Sequence, residues 1–531
     1  MFNKIIFLVF FIIISSQNGS ARDVQGTLSP LTSYIEKYRA RFETPGLSVV
    51  IVKDGKIIFA KGFGTLSCDE TTPVDEHTVF QLASVTKNFT ATLIMRLADK
   101  GVLSLDDKII KYLPDFKLPT ETLTQEVTIR DILSHALGLG DFAGDTLWHG
   151  GLSQKEVLEN FKYLKVGKKF RTEYGYSNIA FGVVGLIIEK ATGKPYSDVL
   201  KEELFTPLHM DESSVGIEGV EPKLSWIQKI LGFFSFSKPL NIAKPHDLKD
   251  GKAYTIPFYD EFYLFPGSSG VNSTALDMGK WLLFQLNRGK VDGNPLISEK
   301  MMEEMQKHHV DGTDELLGQM FPKERVKHAY TGLGCFVYDY NGITTIKQMG
   351  GIGGARALVT YIPSENLGIA ILSNIGGTRA SLFPEGITHK FLDLYYKLDE
   401  IDWAERIYEK RQKIRTKLKL DLDMMRLKNP LPSGKPEAYV GKYHNKIYGD
   451  AEIKEENKNL FLYYRGGKAP LSHLNGDHFT CRGHELAVGY SMDDTAFVEF
   501  GRDQSGKAFG FIVSLMDEGD SPVFQRVKES K

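Results

Sequence analysis

The sequence predicts an α+β domain followed by a small all-β domain, and three observations carry that reading. β-rich runs at Leu47 to Val52 and Ile57 to Ala60 flank Asp54 and Gly55, a dipeptide that favours the tight turn of a hairpin. Apolar residues then recur at helical spacing from about Thr90 to Leu105 and from Ile179 to Ala191, before strand-like runs return at Val337 to Tyr340, Ala357 to Tyr361 and Ile369 to Ser373. Strands at both ends with helices between them describe an α+β domain ending near residue 398. After Asn429, Pro430, Leu431, Pro432, Ser433 and Gly434 the pattern changes to short strands around Leu460 to Tyr464, Phe497 to Phe500 and Phe509 to Leu515. A separate β domain over 431–531 accounts for them.

Between the two domains, residues 399–430 form a charged helical linker, with nine Lys or Arg and seven Asp or Glu from Asp399 to Lys428. Balanced signs at that density predict a solvated helix, not a basic docking site. At the other end, Lys4 precedes the apolar run Ile5 to Ile14, then polar residues, then Gly19, Ser20 and Ala21. That is the layout of a signal peptide over 1–21, and the run is well short of the roughly twenty residues that span a bilayer. The α+β domain is therefore expected over 22–398 of a secreted or periplasmic chain with no membrane span after cleavage.

The 531 residues carry 65 Lys plus Arg against 67 Asp plus Glu, so overall charge offers no basis for binding nucleic acid phosphates. Three cysteines, Cys68, Cys335 and Cys481, are too few and too scattered for a disulfide framework or a structural zinc site. His308 and His309 are adjacent, and no HExxH spacing occurs, so a metal mechanism is not expected. His135 and His246 read as structural. No cofactor motif is present: GxGxxG and Walker A patterns are both absent.

The chemistry centres on Ser84-Val85-Thr86-Lys87. A chain of this length holds roughly two SxxK tetrapeptides by chance, and it holds two, the other spanning 235–238. Only Ser84 precedes an apolar stripe at helical spacing (Phe89, Leu93, Ile94, Leu97), which places it near a helix N-terminus. Positions three apart share a helical face, so the Lys87 amine can reach the Ser84 hydroxyl and act as its base if burial favours the neutral amine. Tyr176 and Asn178 lie on one side of an extended segment, offering a phenol for proton transfer and an amide to fix Lys87 or a substrate carbonyl. Third comes Gln348-Met349-Gly350-Gly351-Ile352-Gly353-Gly354, where glycines beside a strand allow a close approach by backbone or ligand.

SxxK, then YxN 92 residues later, then a glycine-rich strand, in that order, resembles the serine β-lactamase and penicillin-binding protein superfamily, specifically class C β-lactamase-like serine hydrolases. The resemblance extends to Thr44 to Leu47, Lys61 to Gly64, Leu103 to Asp107, and Leu133 to His135 with Gly138. Arg171 to Glu173 and the segment Asn241 to Asp247 resemble one branch, which carries an appended C-terminal β domain of unknown function, and Tyr439, Gly441, Tyr443, Tyr448 and Gly449 resemble that appendage. The resemblance implies an antiparallel sheet with flanking helices and a helical subdomain, a barrel-like appendage, and no cofactor. It also implies Ser84 as acylated nucleophile, Lys87 and Tyr176 sharing proton transfers, Asn178, Gln348 and Gly350 lining the site, and an oxyanion hole from the amides of Ser84 and Gly351.

One departure stands out: the family usually has Lys or His where this chain has Gln348, which weakens recognition of a substrate carboxylate unless Arg356 turns inward. The expected substrate is a β-lactam, a D-amino-acid peptide or an ester, with a non-catalytic binder of peptidoglycan or another cell-wall ligand as the alternative. Residues Trp226 to Phe236 form an aromatic insertion that packs as a short helix, covers the cleft or touches a membrane. Asn88-Phe89-Thr90 is a glycosylation sequon beside the expected nucleophile, which favours a bacterial setting.

Overall fold

The computed structural model describes residues 24–149, 151–221, 240–249, 251–318, 321–376, 382–425, 431, 433–486, 495–514 and 523–528. The expected signal peptide, the aromatic insertion 226–236 and the second SxxK lie outside them.

Gly46–Lys53 and Lys56–Gly64 form the opening hairpin, with φ of 49° at Asp54 and 76° at Gly55 supplying the left-handed pair that a two-residue turn needs. Its first strand pairs antiparallel with Leu367–Ser373, Leu47 opposite Ser373, so the two ends of the domain meet in one sheet. That sheet has eight strands in the order Val310–Asp311, Val326–Thr331, Phe336–Tyr340, Ile343–Ile352, Ala355–Ile362, Leu367–Ser373, Gly46–Lys53, Lys56–Gly64. Helices cover both faces. Val50 and Val52 join the core that includes Met278 and Leu282 of helix Ala275–Leu286, while Leu47, Val49 and Ile51 face Leu31 and Ile35 of helix Gln25–Arg41 and Phe391 of helix Phe383–Tyr396. Double coverage explains why this strand reads as an apolar run broken only by the buried Ser48.

Between the hairpin and the later strands lies the helical subdomain. Helix Thr86–Asp99 runs through its centre, buried at every position from Thr86 to Met95, and packs beside Asn178–Thr192. Asn88 is among those buried residues: its amide donates to the Gly334 carbonyl at 3.4 Å and accepts from the Trp281 indole at 3.2 Å. A glycan has no place there, so the sequon is not a modification site of the folded chain. Cys68, Cys335 and Cys481 are all free thiols.

Helix Trp403–Met425 follows the α+β domain. Its first turn is anchored, with Trp403 and Ala404 buried, the Trp403 indole donating to Asp393 at 2.8 Å and Tyr34 accepting from the Ala404 amide at 2.7 Å. The C-terminal domain is a closed barrel of eight antiparallel strands from Gly441–Asn445 to Phe524–Arg526, sealed where Tyr443 pairs with Arg526. Closure leaves no strand edge to aggregate. The barrel meets the helical subdomain through Arg465, which reaches Glu156 at 3.0 Å and the Gly151 carbonyl at 3.2 Å, and through Lys446 over the Tyr163 ring at 3.9 Å.

Candidate active site

Ser84 sits in a tight turn, Ala83–Val85, that leads directly into helix Thr86–Asp99. The turn is strained: Ala83 has φ of 49°, in the left-handed region that a residue with a Cβ avoids. The glycine strand lies flat against it. A Cβ on Gly350 would stand 2.1 Å from the Leu82 carbonyl oxygen and 2.8 Å from the Ser84 nitrogen, so only glycine permits this contact between strand and turn. On the next position, a Cβ on Gly351 would meet only the movable end of Arg356.

Lys87, one helical turn after Ser84, is 1% exposed and donates to the Ser84 hydroxyl at 2.9 Å. The same amine reaches Asn178 Oδ1 at 2.7 Å and the carbonyl and hydroxyl of Ser268, each at 3.1 Å. Burial pushes its pKa down to about 7, with the Asp145 carboxylate pulling the other way. Asn178 opens helix Asn178–Thr192 behind the Ser177 cap, and its Nδ2 donates to Asp145 at 2.6 Å. That bond settles the amide's orientation: the nitrogen faces Asp145, so the oxygen faces Lys87 and Ser84.

Tyr176 stands over the same pair, its ring centroid 5.1 Å from the Lys87 nitrogen. Burial holds its phenol well above the ordinary tyrosine range, and the hydrogen bond with Ser84 offsets only part of that. His135 stacks behind it at 4.6 Å between centroids and accepts from the Ser177 amide at 3.4 Å, with burial and then Lys87 lowering its pKa to about 3. It is a neutral support for the tyrosine. His246 is likewise held in a buried network, between the Asn374 carbonyl at 2.9 Å and the Cys68 amide at 3.1 Å. Among the described residues no cluster of His, Cys, Asp and Glu is arranged to hold a metal ion.

The structure thus brings Ser84, Lys87, Tyr176, Asn178, Gly350 and Gly351 together, and Ser84, Tyr176, Asn178 and Gly351 line one cleft of about 1190 Å³. Gln348 is elsewhere. Its side chain is buried, donates to the Gly334 carbonyl and accepts from the Met349 amide at 3.1 Å, so it does not line the cleft. Arg356 does line it, ion-paired with Glu385. Asp145 and Ser268 belong to the constellation without any sequence signal. Each touches its partner only through the tertiary fold, Asp145 from 33 positions away and Ser268 from 181.

Two matches along the chain accompany this geometry. Residues 31–385 match the beta-lactamase family and residues 426–525 match a domain of unknown function, DUF3471. Similar proteins include Protein flp of Staphylococcus aureus (strain MRSA252), 24% identical over 348 residues, a match that spans 65% of this chain and 62% of that protein. Unguisins hydrolase ungD' of Aspergillus campestris is 26% identical over 440 residues, 79% of this chain and 76% of that one. Among solved structures, an octameric penicillin-binding protein homologue from Pyrococcus abyssi superposes with a TM-score of 0.58 at 23% identity, covering 94% of this chain and 99% of that one. SurE superposes at 0.54 and 18% identity, with 94% and 99% covered. At these identities the structures speak for the fold alone. The sequence match over most of the chain speaks for descent: this protein belongs to the beta-lactamase family and is serine hydrolase-like.

Proposed function

We propose that this chain is a secreted hydrolase that opens an amide or ester bond through an acyl-enzyme on Ser84. One observation carries the reading: a buried lysine whose pKa is near 7 lies 2.9 Å from a serine hydroxyl at the mouth of a cleft. A serine hydroxyl attacks only when a base takes its proton. Two groups are in reach, and their pKa directions divide the work. Lys87 is lowered into the range where a free amine is abundant at neutral pH, so it is the base; Tyr176 is raised, so it stays protonated and acts as donor or relay.

In the acylation step Lys87 takes the Ser84 proton as Oγ bonds to the substrate carbonyl carbon. The carbonyl oxygen becomes an oxyanion held by the amides of Ser84 and Gly351. Collapse breaks the bond to the leaving group, which takes up the proton by way of Lys87 and Tyr176. Water then attacks the acyl-enzyme, yielding the free acid and restoring Ser84. Asn178, locked by Asp145, keeps an acceptor facing the lysine throughout.

β-Lactams, D-amino-acid peptides and simple esters all fit this sequence of steps. A relative named as a hydrolase is consistent with a hydrolytic reaction. The test is a panel of nitrocefin, D-alanyl peptides and nitrophenyl esters on the mature protein with Ser84→Ala as control. Turnover of at least one class that the substitution abolishes is expected; activity that survives Ser84→Ala removes the proposal.

A further inference from the structure

The cleft does not end at the catalytic groups. It runs past Met349 and Gly351 to helix Trp403–Met425, and its volume of about 1190 Å³ exceeds the roughly 300–1,000 Å³ that holds a drug-sized molecule. Its walls leave large apolar side chains in water. Phe142, Leu382 and Ile414 are 55%, 39% and 42% exposed, and all three line it. Ile407 and Ile414, seven positions apart on one face of the helix, form its far wall. Exposed apolar surface inside a cleft marks where a ligand's apolar surface goes.

Two of the extension's cations are paired with carboxylates. Arg356 pairs with Glu385, Arg406 with Glu324 at 2.7 Å, and Lys410 donates to the Gly318 carbonyl at 3.1 Å. A substrate carboxylate here would compete with Glu385 for a guanidinium already neutralised. Hydrogen-bonding capacity nevertheless remains. Arg356 Nε, Glu385 Oε2 and His389 Nδ1 are buried without a hydrogen-bond partner among the described residues, on side chains that all line the cleft; Glu385 and His389 are only 6% and 4% exposed. Once these side chains turn toward the cleft, the Arg356 donor and the Glu385 acceptor match an amide, which offers an N–H and a C=O, better than a carboxylate, which offers acceptors alone.

We propose that this extension binds an uncharged peptide several residues long with apolar side chains, and that Ile407 and Ile414, from the helix after the hydrolase domain, set that preference. The proposal deepens the reading of Ser84 as nucleophile and rests on it for catalysis, but its test needs no turnover. In the full chain carrying Ser84→Ala, calorimetry measures binding of an acetylated, amidated pentapeptide of leucine, phenylalanine and glycine. A second peptide has glutamate in place of two leucines.

The apolar peptide is expected to bind at least tenfold more tightly than the glutamate peptide. Ile414→Asp should weaken apolar binding tenfold or more, and Ile414→Leu should retain it. Because Ile414 is an exposed side chain, the aspartate is accommodated by the fold, which circular dichroism verifies; Leu382→Asp is the second probe of the same wall. No binding, equal affinity for the two peptides, or indifference to both aspartate variants would overturn the proposal. Peptide binding by a chain that hydrolyses nothing would remove the catalytic reading and leave this one. Ester turnover at Ser84 without peptide binding would do the reverse.

Discussion

Inside the barrel, Tyr443 donates to the Tyr439 carbonyl at 2.5 Å, Tyr464 donates to the Tyr448 carbonyl at 3.1 Å, and their rings pack among Phe511 and Phe524. In the hydrolase domain Tyr176 is also packed among rings, His135 and Phe142, yet its phenol points at Ser84 on the wall of a cleft. Burial raises the pKa of all three phenols. What separates them is where the polar end goes: in the barrel it satisfies the barrel's own backbone, and at the cleft it faces Ser84, the proposed nucleophile. The same contrast holds for lysines, since surface amines pair with carboxylates whereas Lys87 is buried against two hydroxyls, a carbonyl and an amide. A perturbed group marks a functional site only when its hydrogen bonds end on other reactive groups beside open space.

The comparison is tested most severely at Lys87. Lys87→Met should lower kcat/KM for any accepted substrate by about 10³-fold or more, the scale seen when a nucleophile loses its base. In the unaltered chain, the amine must be neutral to act, so kcat/KM should fall about tenfold per pH unit below the Lys87 pKa of about 7 and level off above it. A pH-rate profile with no limb between pH 6 and 8 would assign the base elsewhere.

Gly350→Ala comes next. Its Cβ would collide with the Leu82 carbonyl and the Ser84 nitrogen, and displacing the nucleophile by a fraction of an ångström should cost about 10²-fold in kcat/KM. Steady-state kinetics beside a thermal melt distinguish this from unfolding, because the substitution should leave a cooperative transition.

Asp145→Asn should be milder, about tenfold or a little more in kcat. The substitution frees the Asn178 amide to turn its nitrogen toward Lys87, and it removes the carboxylate that holds the lysine pKa up. The limb of the pH-rate profile should therefore move to lower pH. An unshifted limb would deny Asp145 a part in tuning the base.

The smallest effect on catalysis belongs to the barrel. Tyr443→Phe removes a hydroxyl that donates to Tyr439 and accepts from Arg526 at 2.7 Å, at a cost of about 1–2 kcal/mol in the barrel's unfolding free energy. kcat/KM at the hydrolase site should stay within about twofold. Chemical denaturation and kinetics on one sample measure both.

Much of this organisation was legible along the chain. The buried strands of the later sheet announce themselves through apolar runs, because a strand covered on both faces needs apolar residues at nearly every position, whereas the hairpin shows through its Asp54-Gly55 turn and the barrel strands through short runs whose burial alternates. Ser84 and Lys87 are legible for a similar reason: one helical turn brings them together whatever the rest of the fold does. Helix Gln25–Arg41 is harder to see, since Pro30 and several polar residues interrupt its apolar stripe of Leu31, Tyr34, Ile35 and Tyr38. Asp145, Ser268 and the Arg356–Glu385 pair leave no local trace, because each is defined by a partner distant in sequence. The orientation of Gln348 is hidden for the same reason: its partner is Gly334, in the turn that precedes the neighbouring strand. On helix Trp403–Met425 the abundance of charge masks the spacing of Trp403, Ile407 and Ile414 that lines the cleft.

The central claim is that Ser84 forms a covalent acyl intermediate, and intact-protein mass spectrometry after exposure to a fluorophosphonate probe addresses it most directly. The account predicts one adduct per chain, mapped to Ser84, absent from Ser84→Ala and formed more slowly below pH 7. No adduct on the folded protein, or an adduct of equal yield on Ser84→Ala, would contradict it.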